Sequence, residues 1–221
     1  MRPREKARSI TERLRSHYGE ITLTKRNPLE ELISTILSQN TNDTNRDRAY
    51  ASLLSHFRNL DAVMEAPVEE IAEAIRIGGL HYQKARYIKG VLQRIEQERG
   101  ILDLSFLADL SLDEAMVWLL ASPGVGKKTA GIVLLFSFGM PYFPVDTHIR
   151  RVLMRLGLVG AKDDPHERMN VLLPPDPALM RRLHLHLIRL GRELCHPRRP
   201  ECPRCPLRGC CVWHTGQDLT G

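Results

Sequence analysis

The sequence predicts an all-α fold. Apolar residues recur at three- and four-residue spacing along most of the chain, and helix start and stop signals flank those runs. A clean period-2 run bounded by hairpin turns is found nowhere. In order along the chain, residues 3–19 set Ile10, Leu14 and Tyr18 among Arg and Glu, which suits an amphipathic helix. Asn27-Pro28 is the next start signal, after which Leu29, Leu32, Ile33, Ile36 and Leu37 return at helical spacing. Further helices are predicted over about 43–57, 68–76, 81–99 and 112–120. The turn at Gly78-Gly79 separates two of them, and Gly100 ends the longest. Ser111-Leu-Asp-Glu114 is a capping box for the helix at 112. After Ser122-Pro-Gly-Val-Gly126 comes a helix of about 127–138, then one from Thr147 to Leu156 and one over about 177–194.

A chain of 221 residues allows one or two domains with a real hydrophobic core. Its 43% hydrophobic and 26% charged residues exclude global disorder, a fibrous repeat and a coiled-coil rod. The charged start leads into no apolar h-region, and the longest greasy stretch, Gly131 to Pro144, is shorter than the roughly 20 residues of a membrane span. The chain reads as soluble and intracellular, with no membrane partner. The runs from 29 to 138 read as one helical unit. The first helix and the residues after about 142 then pack as a second.

Charge and cysteine both concentrate near the C-terminal end. Between Arg181 and Cys211 stand eight Arg and two Glu, against a net charge of +6 for the whole chain. All five cysteines lie between Cys195 and Cys211. Such clustering in an intracellular chain points to a metal site rather than a disulfide framework. Cys195, Cys202, Cys205 and Cys211 are spaced C-x6-C-x2-C-x5-C, with Cys210 as a fifth. Four soft sulfur ligands suit zinc or an iron–sulfur cluster alike. The intervening Arg198, Arg199, Arg204 and Arg208 are placed to meet phosphates of a polyanion.

Pro123-Gly-Val-Gly126 makes a very tight link between two apolar helices. Gly124 and Gly126 permit positive φ or close backbone approach, so loop amides can face an anion, for which DNA phosphate is the natural candidate. A nucleotide P-loop is excluded, because Ala121 stands where its first Gly belongs and Lys128 separates Lys127 from Thr129. Lys127 and Lys128 open the following helix, where a cation opposes the positive end of the dipole. They are either solvated or include one amine held neutral for nucleophilic work. In Val145-Asp-Thr-His148, Asp146 reads as a helix N-cap or as a catalytic carboxylate.

Together, Leu-Ser-Gln-Asn-Thr-Asn-Asp at 37–43, Gly79-Leu80, Pro123-Gly-Val-Gly-Lys-Lys-Thr-Ala130, Val145-Asp-Thr-His148 and the four spaced cysteines resemble the endonuclease III family of helix-hairpin-helix DNA glycosylases. The resemblance covers nearly the whole chain. It implies two helical domains with a DNA cleft between them: a six-helix barrel carrying the hairpin over 22–140, and a discontinuous domain of 1–21 and 141–221 around a [4Fe-4S] cluster. Cys195, Cys202, Cys205 and Cys211 match the cluster ligands, and a monovalent cation accompanies DNA at the hairpin. Lys128, not Lys127, matches the catalytic lysine, and Asp146 the catalytic aspartate. The implied reaction excises oxidised pyrimidines flipped from duplex DNA and cleaves the strand by β-elimination through a Lys Schiff base.

The DNA-contacting set expected from motif and charge is Gln39, Asn40, Leu80, Gly124, Gly126, Lys127, Thr129, His148, Arg198, Arg199, Arg204 and Arg208. The family's gap-filling glutamine falls on Asn40, one methylene shorter, with Gln39 beside it; Leu80 matches the apolar wedge. Ser122 stands where the family has leucine, so a looser hairpin is expected. Asp43 matches an aspartate of the family, or simply starts a helix. The partner is damaged double-stranded DNA, the protein a monomer, and the place cytoplasmic or nucleoid-associated in a prokaryote. The rival readings are an adenine- or thymine-mismatch glycosylase, which usually lacks the lysine, and a non-enzymatic DNA-binding protein. The adenine-mismatch enzyme also carries a further C-terminal domain, whereas this chain ends ten residues after Cys211.

Overall fold

The computed structural model describes residues 2–216; Met1 and 217–221, the ends of the expected discontinuous domain, lie outside the described residues. In chain order the α-helices are α1 (Pro3–Tyr18), α2 (Pro28–Leu37), α3 (Asp43–His56), α4 (Leu60–Glu65), α5 (Val68–Ala74), α6 (His81–Arg99), α7 (Leu112–Leu120), α8 (Lys127–Val133), α9 (Thr147–Arg155), α10 (Pro165–Leu172), α11 (Pro177–Glu193) and α12 (Val212–Thr215). No strand occurs among the described residues. The chain divides into two compact units, Lys25–Phe138 and Met1–Thr24 with Gly139–Gly221.

In the Lys25–Phe138 unit, side-chain caps set the helix starts. Asn27 Oδ1 accepts from the amides of Leu29 and Glu30, Asn42 from Asn45, and Asn59 from Ala62. Ser111 and Glu114 form the reciprocal box at α7. Each such cap contributes roughly 1 kcal/mol by satisfying an orphan amide. The core is the apolar stripe of α6, Ala85, Ile88, Val91, Leu92 and Ile95, together with Leu32, Ile33, Ile36 and Leu37 of α2. α5 and α4 pack on α6, and α8 packs on α2. The helix expected over 127–138 is present, but after Val133 it widens into a π-helical stretch, Leu134–Phe138.

In the other unit, α1 starts with Pro3 in its first turn and stops at Gly19, whose φ is +81°. Its buried stripe, Ala7, Ile10 and Leu14, belongs to the face that packs on α11. α11 buries Met180, Leu183, Leu187 and Leu190, and α9 meets it with Ile149, Val152 and Leu153 buried. α9 and α11 approach closely at Gly191, where an added Cβ would stand 3.0 Å from His148 Cβ. His186 Nε2 lies 3.1 Å from the Gly19 carbonyl, which can only accept, so that nitrogen carries the proton. Burial holds the His186 pKa below its ordinary value, which favours the neutral ring.

Candidate active site and nucleic-acid interface

The hairpin is the turn from α7 into α8, and one face of α6 braces it. Gly124 has φ +73°, and a Cβ added there would lie 2.2 Å from Tyr87 Cδ2. Gln83 Nε2 donates to the Tyr87 hydroxyl at 2.9 Å and so fixes the ring. A Cβ on Gly90 would come within 2.8 Å of Pro123 Cγ, so the hairpin proline also rides directly on the helix. Arg94 Nη1 donates to Trp118 O and to Ser122 Oγ, both at 2.7 Å. This corrects the expectation of a loosened hairpin. Ser122 is 4% exposed, and its hydroxyl replaces apolar anchoring with a charge-assisted hydrogen bond. None of Gln83, Tyr87, Gly90 and Arg94 was singled out from the sequence. Their 4-3-4 spacing on one helix, with a glycine inside it, was the available signal.

The end of α2 meets the same hairpin. Gln39 Nε2 donates to Gly124 O at 2.9 Å, so this side chain is engaged. Asn40 beside it is exposed, with φ +50°. Lys128 Nζ lies 3.1 Å from Ser38 Oγ, and that hydroxyl donates to Thr35 O at 2.7 Å. Ser38 was missed in the sequence, although it adjoins the Gln39-Asn40 pair. Lys127 and Lys128 are half-buried in the first turn of α8, where Thr129 is buried and Gly126 is the N-cap. Leu80 stands at the start of α6, 49% exposed with φ +48°. Asp43 is the first residue of α3, within 3.2 Å of Arg46 Nη1.

In the other unit, Asp146 caps α9, its Oδ1 accepting from Ile149 N at 2.7 Å. His148 Nδ1 lies 3.2 Å from Arg151 Nη2, which also donates to Gly191 O at 2.7 Å. Arg198, Arg199, Arg204 and Arg208 are all exposed. Arg204 pairs with Glu201, and Arg208 Nε lies 2.8 Å from His214 Nε2.

The [4Fe-4S] cluster expected on Cys195, Cys202, Cys205 and Cys211 is corrected. Among the described residues, no group of three or more His, Cys, Asp or Glu side chains is arranged to hold a metal ion. Arg155 occupies the organising role instead. Its Nη1 donates to Cys195 Sγ at 3.2 Å and to His196 O at 2.7 Å, and its Nη2 to Pro197 O at 2.9 Å. Its own carbonyl accepts from Cys211 Sγ at 3.2 Å, and Trp213 lies 4.9 Å from its guanidinium carbon. Cys210 Sγ donates to Leu207 O. Burial is the largest effect raising the Cys205 thiol to about 11 and also lifts Cys211, so both favour the protonated form. At the hairpin, where a monovalent cation was expected with DNA, Gly124 O accepts from Gln39 Nε2 and Ser122 O from Val125 N. Removing the Arg155 guanidinium would leave three part-buried acceptors without this donor. Arg155→Ala is therefore expected to lower stability by about 2–4 kcal/mol. Urea unfolding measures this, and a loss under about 1 kcal/mol would contradict the role given to Arg155.

A fold of helices carrying a glycine-braced hairpin beside a held lysine defines a class of DNA-acting enzyme, and comparison with known proteins agrees. The model for the HhH-GPD superfamily of base excision DNA repair proteins matches residues 33–175. Endonuclease III of Sulfolobus acidocaldarius is 36% identical over 194 residues, covering 86% of this chain and 83% of the relative. Endonuclease III of Thermotoga maritima is 34% identical over 212 residues, covering 95% and 92%. A solved non-covalent endonuclease III–DNA complex superposes with a TM-score of 0.82 at 27% identity, covering 98% of this chain and 99% of that one. A thermostable thymine-DNA glycosylase superposes with a TM-score of 0.78 at 22% identity, which shows a shared fold and no more. The chain belongs to the endonuclease III family of the HhH-GPD superfamily. It is a DNA glycosylase and abasic-site lyase, and its partner is DNA. No helix among the described residues is long and apolar enough to cross a membrane.

Proposed function

We propose that the chain excises an oxidised pyrimidine from duplex DNA with Lys128 as nucleophile and Asp146 as its catalytic carboxylate. The observation that carries this reading is the Lys128 amine 3.1 Å from Ser38 Oγ, next to the braced hairpin. The neutral amine gives its lone pair to C1′ of the flipped nucleotide, the C1′–N bond breaks, and the base leaves with that electron pair and takes up a proton. The sugar ring opens to a protonated Schiff base on Lys128. Loss of a C2′ proton then expels the 3′ phosphate and cleaves the strand. Asp146 helps to take up the amine's proton and stabilises positive charge developing on the sugar.

We read residues 22–140 as a six-helix barrel with its helix-hairpin-helix, and 1–21 with 141–221 as the second helical domain. The amides around Gly124 and Gly126 and the ammonium of Lys127 hold backbone phosphate, and buried Thr129 supports that turn. His148, Arg198, Arg199, Arg204 and Arg208 add phosphate contacts. Asn40 fills the gap left by the flipped base and Leu80 enters the duplex. Gln39 acts from below by holding the hairpin.

Asp146→Asn separates chemistry from capping, because Asn caps a helix as well as Asp does. The variant is expected to keep its Tm and its DNA affinity and to slow single-turnover excision by about 10²-fold or more. Unchanged turnover would remove Asp146 from the reaction. A wild-type protein that cleaves an abasic duplex but leaves the oxidised pyrimidine intact would overturn the substrate reading.

A further inference from the structure

Lys84 interrupts the apolar stripe of α6 and is 1% exposed. Its Nζ donates to two backbone carbonyls, Leu37 O and Gly78 O, each at 2.7 Å. It forms no ion pair among the described residues, and burial pushes its pKa down to about 8. A methionine would fill the same space without a buried polar group, so packing alone does not account for a lysine there.

The two carbonyls end two separate segments. Leu37 closes α2 and leads to Asn40; Gly78 closes the 3₁₀ turn Arg76–Gly78 and leads to Leu80. Asn40 and Leu80, with φ of +50° and +48°, share the left-handed conformation that L-residues avoid. Both tips are exposed, and one ammonium ties down the stem of each.

We propose that Lys84 is a positioning residue that locks the Asn40 and Leu80 turns at a fixed spacing, so that both tips enter the duplex together and hold the target nucleotide out of the stack. This rests on the reading of Asn40 and Leu80 as the residues that enter DNA. The chemistry at Lys128 does not need Lys84; extrusion of a paired base does. A substrate that requires no extrusion is then indifferent to it.

The test compares wild type with Lys84→Met on three substrates: a paired oxidised pyrimidine in duplex, the same lesion left unpaired in a bulge, and an abasic site in single-stranded DNA. Lys84→Met is expected to lose at least about tenfold in single-turnover excision of the paired lesion. The same variant should lose much less on the bulged lesion and keep borohydride trapping on the single-stranded abasic site within about twofold. Equal losses on all three substrates would reduce Lys84 to general support of the fold, and full activity on the paired lesion would remove it altogether. Either result overturns the proposal. Should Lys84→Met fail to fold, Lys84→Arg keeps the charge and donors on a planar group that cannot reproduce the ammonium geometry. It is expected to show the same ordering of substrates, and equal activity on all three would again overturn the proposal. Wild-type protein that excises the paired lesion while Asn40→Ala and Leu80→Ala change nothing would instead overturn the reading on which it rests.

Discussion

Replacing Lys128 with Gln is expected to lower cleavage at an oxidised pyrimidine by about 10³-fold or more and to abolish borohydride trapping. Affinity for uncleaved damaged duplex is expected to stay within about tenfold, since one phosphate-range cation contributes only modestly. Gln is close to Lys in length and its amide can still donate to Ser38 Oγ, so the local packing survives. What disappears is the only group at that position that can form a carbon–nitrogen bond to C1′ and carry it on to a Schiff base. Lys127→Gln is the matched control. It removes a charge from the same helix turn and is expected to weaken DNA binding with the trapping reaction intact. Normal trapping by Lys128→Gln would transfer the nucleophile elsewhere.

The second large effect is expected at Gly124. Gly124→Ala places a Cβ 2.2 Å from Tyr87 Cδ2 and 2.3 Å from Tyr87 Cγ, ring atoms near the root of a side chain that Gln83 holds. A φ of +73° adds roughly 1–2 kcal/mol for any L-residue. The ring cannot rotate out of the way without losing its hydrogen bond, so the hairpin must move off α6. Stability is expected to fall by about 3 kcal/mol or more, with duplex binding lost alongside it. Adding Tyr87→Ala removes the clash and leaves the φ cost, so the double variant is expected to be more stable than the sum of the singles predicts. Additive losses would show that the contact between Tyr87 and Gly124 does not hold the hairpin.

How far the sequence disclosed these features depended on which side chains meet. α6 and α7 are read from pattern to the residue, because Gly100 and the Ser111–Glu114 box mark their ends in plain chemistry. α4 and α10, of 6 and 8 residues, escaped. Their start signals were the caps Asn59 and Asp164, with Pro165 following the second. Lys84 sits at i−4 from Ile88 on an apolar stripe, so its anomaly was visible, but its two carbonyl partners lie 47 and 6 residues away. The cysteine spacing suggested a metal centre, whereas the bond from Arg155, 40 residues earlier, to Cys195 Sγ is a property of packing that spacing does not carry. The hairpin and the family were legible because each motif is a contiguous run, whereas Ser38, which meets Lys128, lies 90 residues from it. The brace from Gln83, Tyr87, Gly90 and Arg94 was not, because it is made across two elements.

The most direct test of the account is the site of covalent capture. The protein is mixed with a duplex carrying one oxidised pyrimidine, reduced with borohydride and digested, and the DNA-bearing peptide is identified by mass spectrometry. The account predicts a reduced amine adduct on Lys128 in wild type, absent from Lys128→Gln. An adduct on another amine, or none from folded protein that still releases the base and cleaves the strand, would contradict it.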